Sequence, residues 1–136
     1  MARTVCRLVF SSKFMKCHQM VSSGDEIEVD IIDLDHRGDG RGIVDERDII
    51  VRRAVPGDKI KGRVIKKRRG RVDVEITDYI DHGMPRKEAQ CTHFGLCGGC
   101  RWQDLSYEDQ LLLKGRMVRN ALQKYGFYDV EVRPTI

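Results

Sequence analysis

Cys91, Cys97 and Cys100 stand in the segment Cys91-Thr92-His93-Phe94-Gly95-Leu96-Cys97-Gly98-Gly99-Cys100 with the spacing C-x5-C-x2-C, and they are three of the chain's five cysteines. Thiolates are soft ligands, and a C-x2-C pair with small residues between lets one tight turn aim two sulfurs at the same metal or cluster. Gly98 and Gly99 leave backbone N–H groups free to face an anionic cluster. The segment therefore reads as a metal or iron–sulfur site. A disulfide reading needs an oxidising compartment and leaves one cysteine over. Inert buried thiols would need apolar company, which a glycine-rich loop does not offer.

Two groups suit such a loop. One is an iron–sulfur cluster. The other is zinc in a Cys3His tetrahedron, with His93 joining Cys91, Cys97 and Cys100; a solvated loop histidine is the plainer role for His93. A cubane cluster needs a fourth ligand, and the only other cysteines are Cys6 and Cys17.

A second group of residues suits a different chemistry. Lys59, Lys61, Arg63, Lys66, Lys67, Arg68, Arg69 and Arg71 follow one another with no acid among them. By the two-residue period of a strand, Lys59, Lys61 and Arg63 share one face while Ile60 and Val64 turn to the core. The run continues into a turn, giving a stripe able to track a phosphate backbone. A merely solvated edge would carry opposed acids, and none lies within the run. Few aromatics flank it, so phosphate and shape contacts are expected in place of base stacking. In His36-Arg37-Gly38-Asp39-Gly40-Arg41-Gly42 the three glycines mark a mobile inter-strand loop from which Arg37 and Arg41 can reach a phosphate. Strands on both sides argue against a nucleotide-cofactor loop.

A small soluble fold has to position these groups. The 136 residues suffice for one ordinary domain or two small ones, and the 40% apolar content is interrupted by 34% charged residues. No apolar run approaches the ~20 residues that span a bilayer, so no membrane association is expected and the location expected is cytoplasmic. Arg3, Arg7, Lys13 and Lys16 occur with no acid in residues 1–24 and account for the whole net charge of +4. The rest of the chain is balanced, so a nucleic-acid surface must be a local patch. Residues 1–23 have no sustained period and are read as a basic disordered tail.

From 24 to 80 the pattern is one of short strands and turns. Glu26–Ile31 alternates polar and apolar, Ile43-Val44 and Ile49–Val51 flank a turn at Asp45-Glu46, and Pro56-Gly57-Asp58 is a strong turn signal. Lys59–Ile65 and Arg71–Ile76 complete five strands, which argues for a small OB-like barrel. Residues 81–90 read as a linker. After the cysteine loop, Ser106 is the expected N-cap of a helix, with Asp109 at N3 and Gly126 at the C-terminal stop. Its apolar stripe is expected to be Leu111, Val118, Leu122 and Tyr125. Val130-Glu131-Val132 reads as the start of a strand.

These residues carry a family resemblance. Ile31, Gly38-x-Gly40-x-Gly42 and Ala54-Val55-Pro56-Gly57-Asp58 make residues 24–80 resemble a TRAM domain, a small OB-like RNA-binding barrel. Cys91-x5-Cys97-Gly98-Gly99-Cys100-x2-Gln103, followed by Tyr107, Gln110, Leu111 and Lys114, is similar to the iron–sulfur segment of TRAM-containing RNA (uracil-5-)methyltransferases. The resemblance implies a mainly β chain: a five-stranded OB-like barrel, then a cysteine-rich cluster loop and one amphipathic helix. Residues 91–136 would hold that loop, the helix and the start of a truncated central domain. It implies a 4Fe–4S cluster on Cys91, Cys97 and Cys100 with the fourth ligand a cysteine well downstream. The RNA would be ribosomal or transfer RNA. Methyl transfer from S-adenosylmethionine to uridine C5 uses a C-terminal domain whose cysteine nucleophile, carboxylate base and glycine turn find no match here. No catalytic residue is therefore assigned, and the chain resembles the N-terminal third of such an enzyme. A separate catalytic polypeptide would be one way to complete it.

Overall fold

A computed structural model describes residues 21–136. The basic tail up to residue 20, with Cys6 and Cys17, lies outside the described residues. Six strands, β1 (Glu26–Asp30), β2 (Asp33–Leu34), β3 (Gly40–Val44), β4 (Arg47–Val51), β5 (Lys59–Arg68) and β6 (Arg71–Asp81), precede one helix, α1 (Tyr107–Lys124). The strands form one sheet in the order β1-β5-β6-β4-β3-β2, antiparallel except for the β4–β6 pair.

Sequence led to five strands, and the sixth comes from a bend. β1 and β2 are separated only by Ile31 and Ile32, and this continuous segment lies at both ends of the strand order. Its first half pairs with β5 and its second half with β3. The Ile31 N–H donates to Asp58 O at 2.8 Å on one side, and the Ile32 N–H to Arg41 O at 2.9 Å on the other. The sheet therefore curls back on itself around Val29, Ile31, Ile49, Val51, Ile60, Val64, Val72 and Val74, all buried. This is the OB-like route to hiding strand edges. Val21, on the tail side of the expected boundary, is buried in the same core.

The turns follow their local chemistry. Asp45 and Glu46 both take positive φ, 49° and 62°, as the two-residue hairpin between β3 and β4 demands. The inter-strand loop expected over residues 36–42 is present only over residues 35–39, between β2 and β3, and its second half is strand. Gly40 and Gly42 lie in β3 where it crosses the bend, and a Cβ would come within 2.8 Å of Ala54 Cβ at Gly40 and 2.7 Å of Asp30 O at Gly42. Gly40 and Gly42 serve close approach between strands, while Gly38, at φ 82°, serves the turn between β2 and β3.

Residues 81–90 pack back on the barrel. Arg86 pairs with Asp58 of the turn before β5 and with Asp104 after the cysteine loop. A second core of Leu34, Val55, Trp102, Leu105 and Leu113, flanked by Met84 and Met117, joins that segment and α1 to the barrel. The cysteine loop is thus held between two anchored segments.

α1 starts and stops where its caps predict. Ser106 Oγ accepts the Asp109 N–H at 3.1 Å and donates to the Asp109 carboxylate at 2.8 Å; Gly126 at φ 85° follows the last turn. Its buried side is not the expected stripe. Leu113 is buried and Met117 packs beside it, while Val118 and Tyr125 are 51% and 76% exposed. At 3.6 residues per turn the packed side lies roughly opposite the stripe. Polar contacts set the rotation: Arg116 Nε and Asn120 Nδ2 donate to Asp33 at 2.8 and 2.9 Å, and Arg116 Nη2 donates to Ile32 O at 3.0 Å. Residues 130–132 form no strand.

Candidate functional site

The cysteine loop is a chain of tight turns. The Phe94 N–H donates to Cys91 O at 3.0 Å, and the Leu96 and Cys97 N–H groups converge on His93 O at 3.0 and 3.2 Å. Gln103 ties the two ends together: its Oε1 accepts the Cys91 N–H at 2.9 Å, and its Nε2 lies 4.0 Å from Cys100 Sγ. Cys91 is half-buried, Cys97 and Cys100 are exposed, and none of the three is in a disulfide. Among the described residues, no three His, Cys, Asp or Glu side chains are drawn together into a ready-made metal site. The donor set itself, three unpaired thiols on one clamped glycine-rich loop, fits a thiolate-bound group in kind and supplies three of four corners. His93 is exposed, with Nδ1 3.3 Å from Thr92 Oγ1.

The loop rests on two arginines that sequence reasoning did not single out. Arg52 and Arg53 stand in the turn after β4. The Arg53 guanidinium lies 5.7 Å from the Phe94 ring centroid, in the range of a cation–π contact. A Cβ at Gly95 would meet Arg53 Nη1 at 2.5 Å, and one at Gly98 would meet Arg52 Nη2 at 3.1 Å. Glycine at these two positions therefore lets the guanidinium groups lie against the loop backbone. Arg101, just past Cys100, is paired with the buried Asp39. Burial holds the Asp39 carboxyl above its ordinary value; Arg101 and Arg52 pull it down, and Asp35 pushes it further up. Between the arginines, the loop, Ile65 of β5 and Val74, Glu75 and Ile76 of β6 lies a cleft of about 140 Å³.

The basic run divides in the structure. β5 extends to Arg68, so Lys66, Lys67 and Arg68 belong to the strand, and only Arg69 and Gly70 make the turn. Ile60 and Val64 are buried and Lys61 and Arg63 are exposed, as the period of two required. The acids missing from the run stand on its neighbours. Across β1, Lys61 faces Glu28 and Arg63 faces Glu26; across β6, Lys61 faces Asp78, Arg63 faces Glu75 and Lys66 faces Asp73. Side-chain pairs follow, with Glu26 3.4 Å from Lys61 and 4.0 Å from Arg63. Lys59 faces Asp30 on one side and Asp81 on the other. Arg68 and Arg71 pair with Asp73, and Arg71 also with Asp35. Lys67 Nζ donates to Val21 O at 3.0 Å. Arg41 is committed to Asp48 at 2.7 Å, while Arg37 is exposed at the surface.

No family model matches the chain. Curated relatives do. An uncharacterized RNA methyltransferase of Caldanaerobacter subterraneus is 37% identical over 111 residues, 82% of this chain and 25% of the relative. One of Halalkalibacterium halodurans is 38% identical over 117 residues, 85% of this chain and 26% of the relative. The chain is homologous to the N-terminal quarter of these RNA methyltransferases. A third methyltransferase relative, from Porphyromonas gingivalis, is 37% identical over 103 residues, 76% of this chain and 22% of the relative. The span is thus nearer a quarter of such an enzyme than the third inferred from sequence. Among solved structures, a conserved protein of Methanococcus maripaludis is 28% identical, covers 52% of this chain and 100% of its own, and has a TM-score of 0.42. No described helix is long and apolar enough to cross a membrane.

Proposed function

We propose that this chain is the RNA-binding and cluster-bearing N-terminal part of an S-adenosylmethionine-dependent RNA uridine C5-methyltransferase that modifies ribosomal or transfer RNA in the cytoplasm. The observation that carries the reading is a clamped loop of three unpaired cysteines, seated on an OB-like barrel, in a chain homologous to the start of RNA methyltransferases. Cys91, Cys97 and Cys100 would hold a 4Fe–4S cluster, with the fourth ligand coming from elsewhere. Bound there, the cluster would staple together a loop that has little core of its own. The barrel would position RNA by its phosphates. At the exposed end of the β5–β6 hairpin, Lys66, Lys67 and Arg69 form no ion pair among the described residues and are better placed for this than Lys61 and Arg63, which Glu26 already neutralises, or Arg68, which pairs with Asp73. S-adenosylmethionine and the target uridine would be handled by the parts of such enzymes with which this chain does not align.

Metal content and a visible spectrum of protein purified without oxygen test the cluster. About four irons with matching sulfide, and broad absorption around 400 nm, are expected. One zinc and no colour would overturn the cluster and favour a tetrahedron of Cys91, His93, Cys97 and Cys100, because a filled d shell gives no visible band.

A further inference from the structure

Arg52 and Arg53 differ from Lys61, Arg63, Arg68 and Arg71 of the basic run: neither forms an ion pair among the described residues. Both stand at the cleft between the barrel and the cysteine loop, where two apolar side chains also meet solvent. Ile65 projects from the outer face of β5 and is 52% exposed; Leu96, at the tip of the loop, is 84% exposed. Unpaired guanidinium groups present planar forks that match phosphate oxygens. Exposed apolar side chains lining one cleft suit the flat face of a base. At about 140 Å³ the cleft is too small for a duplex.

We propose that this cleft is a subsite for one nucleotide of single-stranded RNA, its phosphate on Arg52 and Arg53 and its base between Ile65 and Leu96. The inference rests on the RNA-binding reading above and deepens it. It places the nucleotide beside the cysteine loop, with Glu75 of β6 as the one carboxylate among the residues that line the cleft. It also gives the loop a part in recognition: Gly95 and Gly98 bring the loop against the arginines, and Leu96 supplies one wall.

Fluorescence anisotropy with a labelled single-stranded oligouridylate, on the full chain purified without oxygen, tests the proposal. Arg52→Gln should weaken binding about tenfold and make the dependence of log affinity on log salt shallower by about 0.7, because one phosphate fewer of the single strand is then neutralised. Leu96→Ser should weaken it about fivefold and leave the salt slope unchanged, as expected for a side chain that touches the base. Both side chains are exposed, so both variants should keep the far-ultraviolet circular dichroism of the parent. A comparison protein carries glutamine at Lys66, Lys67, Arg68 and Arg69. If only that protein loses affinity while Arg52→Gln and Leu96→Ser bind like the parent, the cleft is overturned and the RNA-binding reading stands. If the parent chain itself fails to bind RNA, both fall.

Discussion

The Arg86 guanidinium donates to the buried Asp58 carboxylate at 2.6 Å, joining the segment after the barrel to the turn that precedes β5. Its other nitrogen donates to Asp104 at 2.7 Å, and its face lies 5.3 Å from the Tyr79 ring centroid. Asp58 also accepts the N–H groups of Val55 at 2.9 Å and Gly83 at 2.8 Å. One cation thus holds the segments on either side of the cysteine loop against the barrel.

Removing that cation should be expensive. Arg86→Ala leaves Asp58, fully shielded from solvent, without its counter-charge, and breaking a buried pair in this way costs about 3–5 kcal/mol. Arg86→Lys should recover only part of the loss, because an ammonium lacks the fork that reaches Asp58 and Asp104 together. Urea unfolding of the two variants beside the parent measures this; a lysine variant as stable as the parent would contradict the bridging role.

Acid should loosen α1 through Asp33. Burial alone would raise this carboxyl, but the hydrogen bonds from Asn120, the Leu34 N–H and Arg116, with the charge of Arg116, outweigh it and hold it below its ordinary value of 3.8. A carboxyl lowered in the folded state contributes stability that is present above 3.8 and is lost as pH falls through the folded value. The parent should therefore lose part of its thermal stability below about pH 4. In Asp33→Asn that component should vanish from a plot of unfolding midpoint against pH.

Two glycines should respond in opposite directions to alanine. At Gly42 a Cβ would lie 2.7 Å from Asp30 O and run into Val29, so Gly42→Ala should destabilise by about 1–3 kcal/mol through overpacking. At Gly115, inside α1, nothing lies within 4 Å of the added carbon. Gly115→Ala should then stabilise by about 1 kcal/mol, the difference in helix propensity. Denaturant midpoints separate the two; equal shifts would show that β3 does not cross the bend as closely as described.

Sequence by itself determined what depends on near neighbours. The Ser106–Asp109 cap, the stop at Gly126, the turn at Asp45-Glu46 and the inward side of Ile60 and Val64 are each set by residues a few positions apart, whose geometry the covalent chain already restricts. The cysteine spacing belongs to the same class. Tertiary structure alone decided which charges meet. Glu26 neutralises Lys61 and Arg63 only because β1 pairs with β5, and that register has no local signature. The packed side of α1 was likewise invisible, since the more apolar stripe gave way to the side that satisfies Asp33 and Ile32 O. Arg52 and Arg53 carried no signal linking them to a loop so distant in the chain; the curl of the sheet and the Arg86 anchor bring the two together. Local conformation is fixed by sterics over a few bonds, whereas charge neutralisation and helix rotation are set by which surfaces the closed barrel presents to each other.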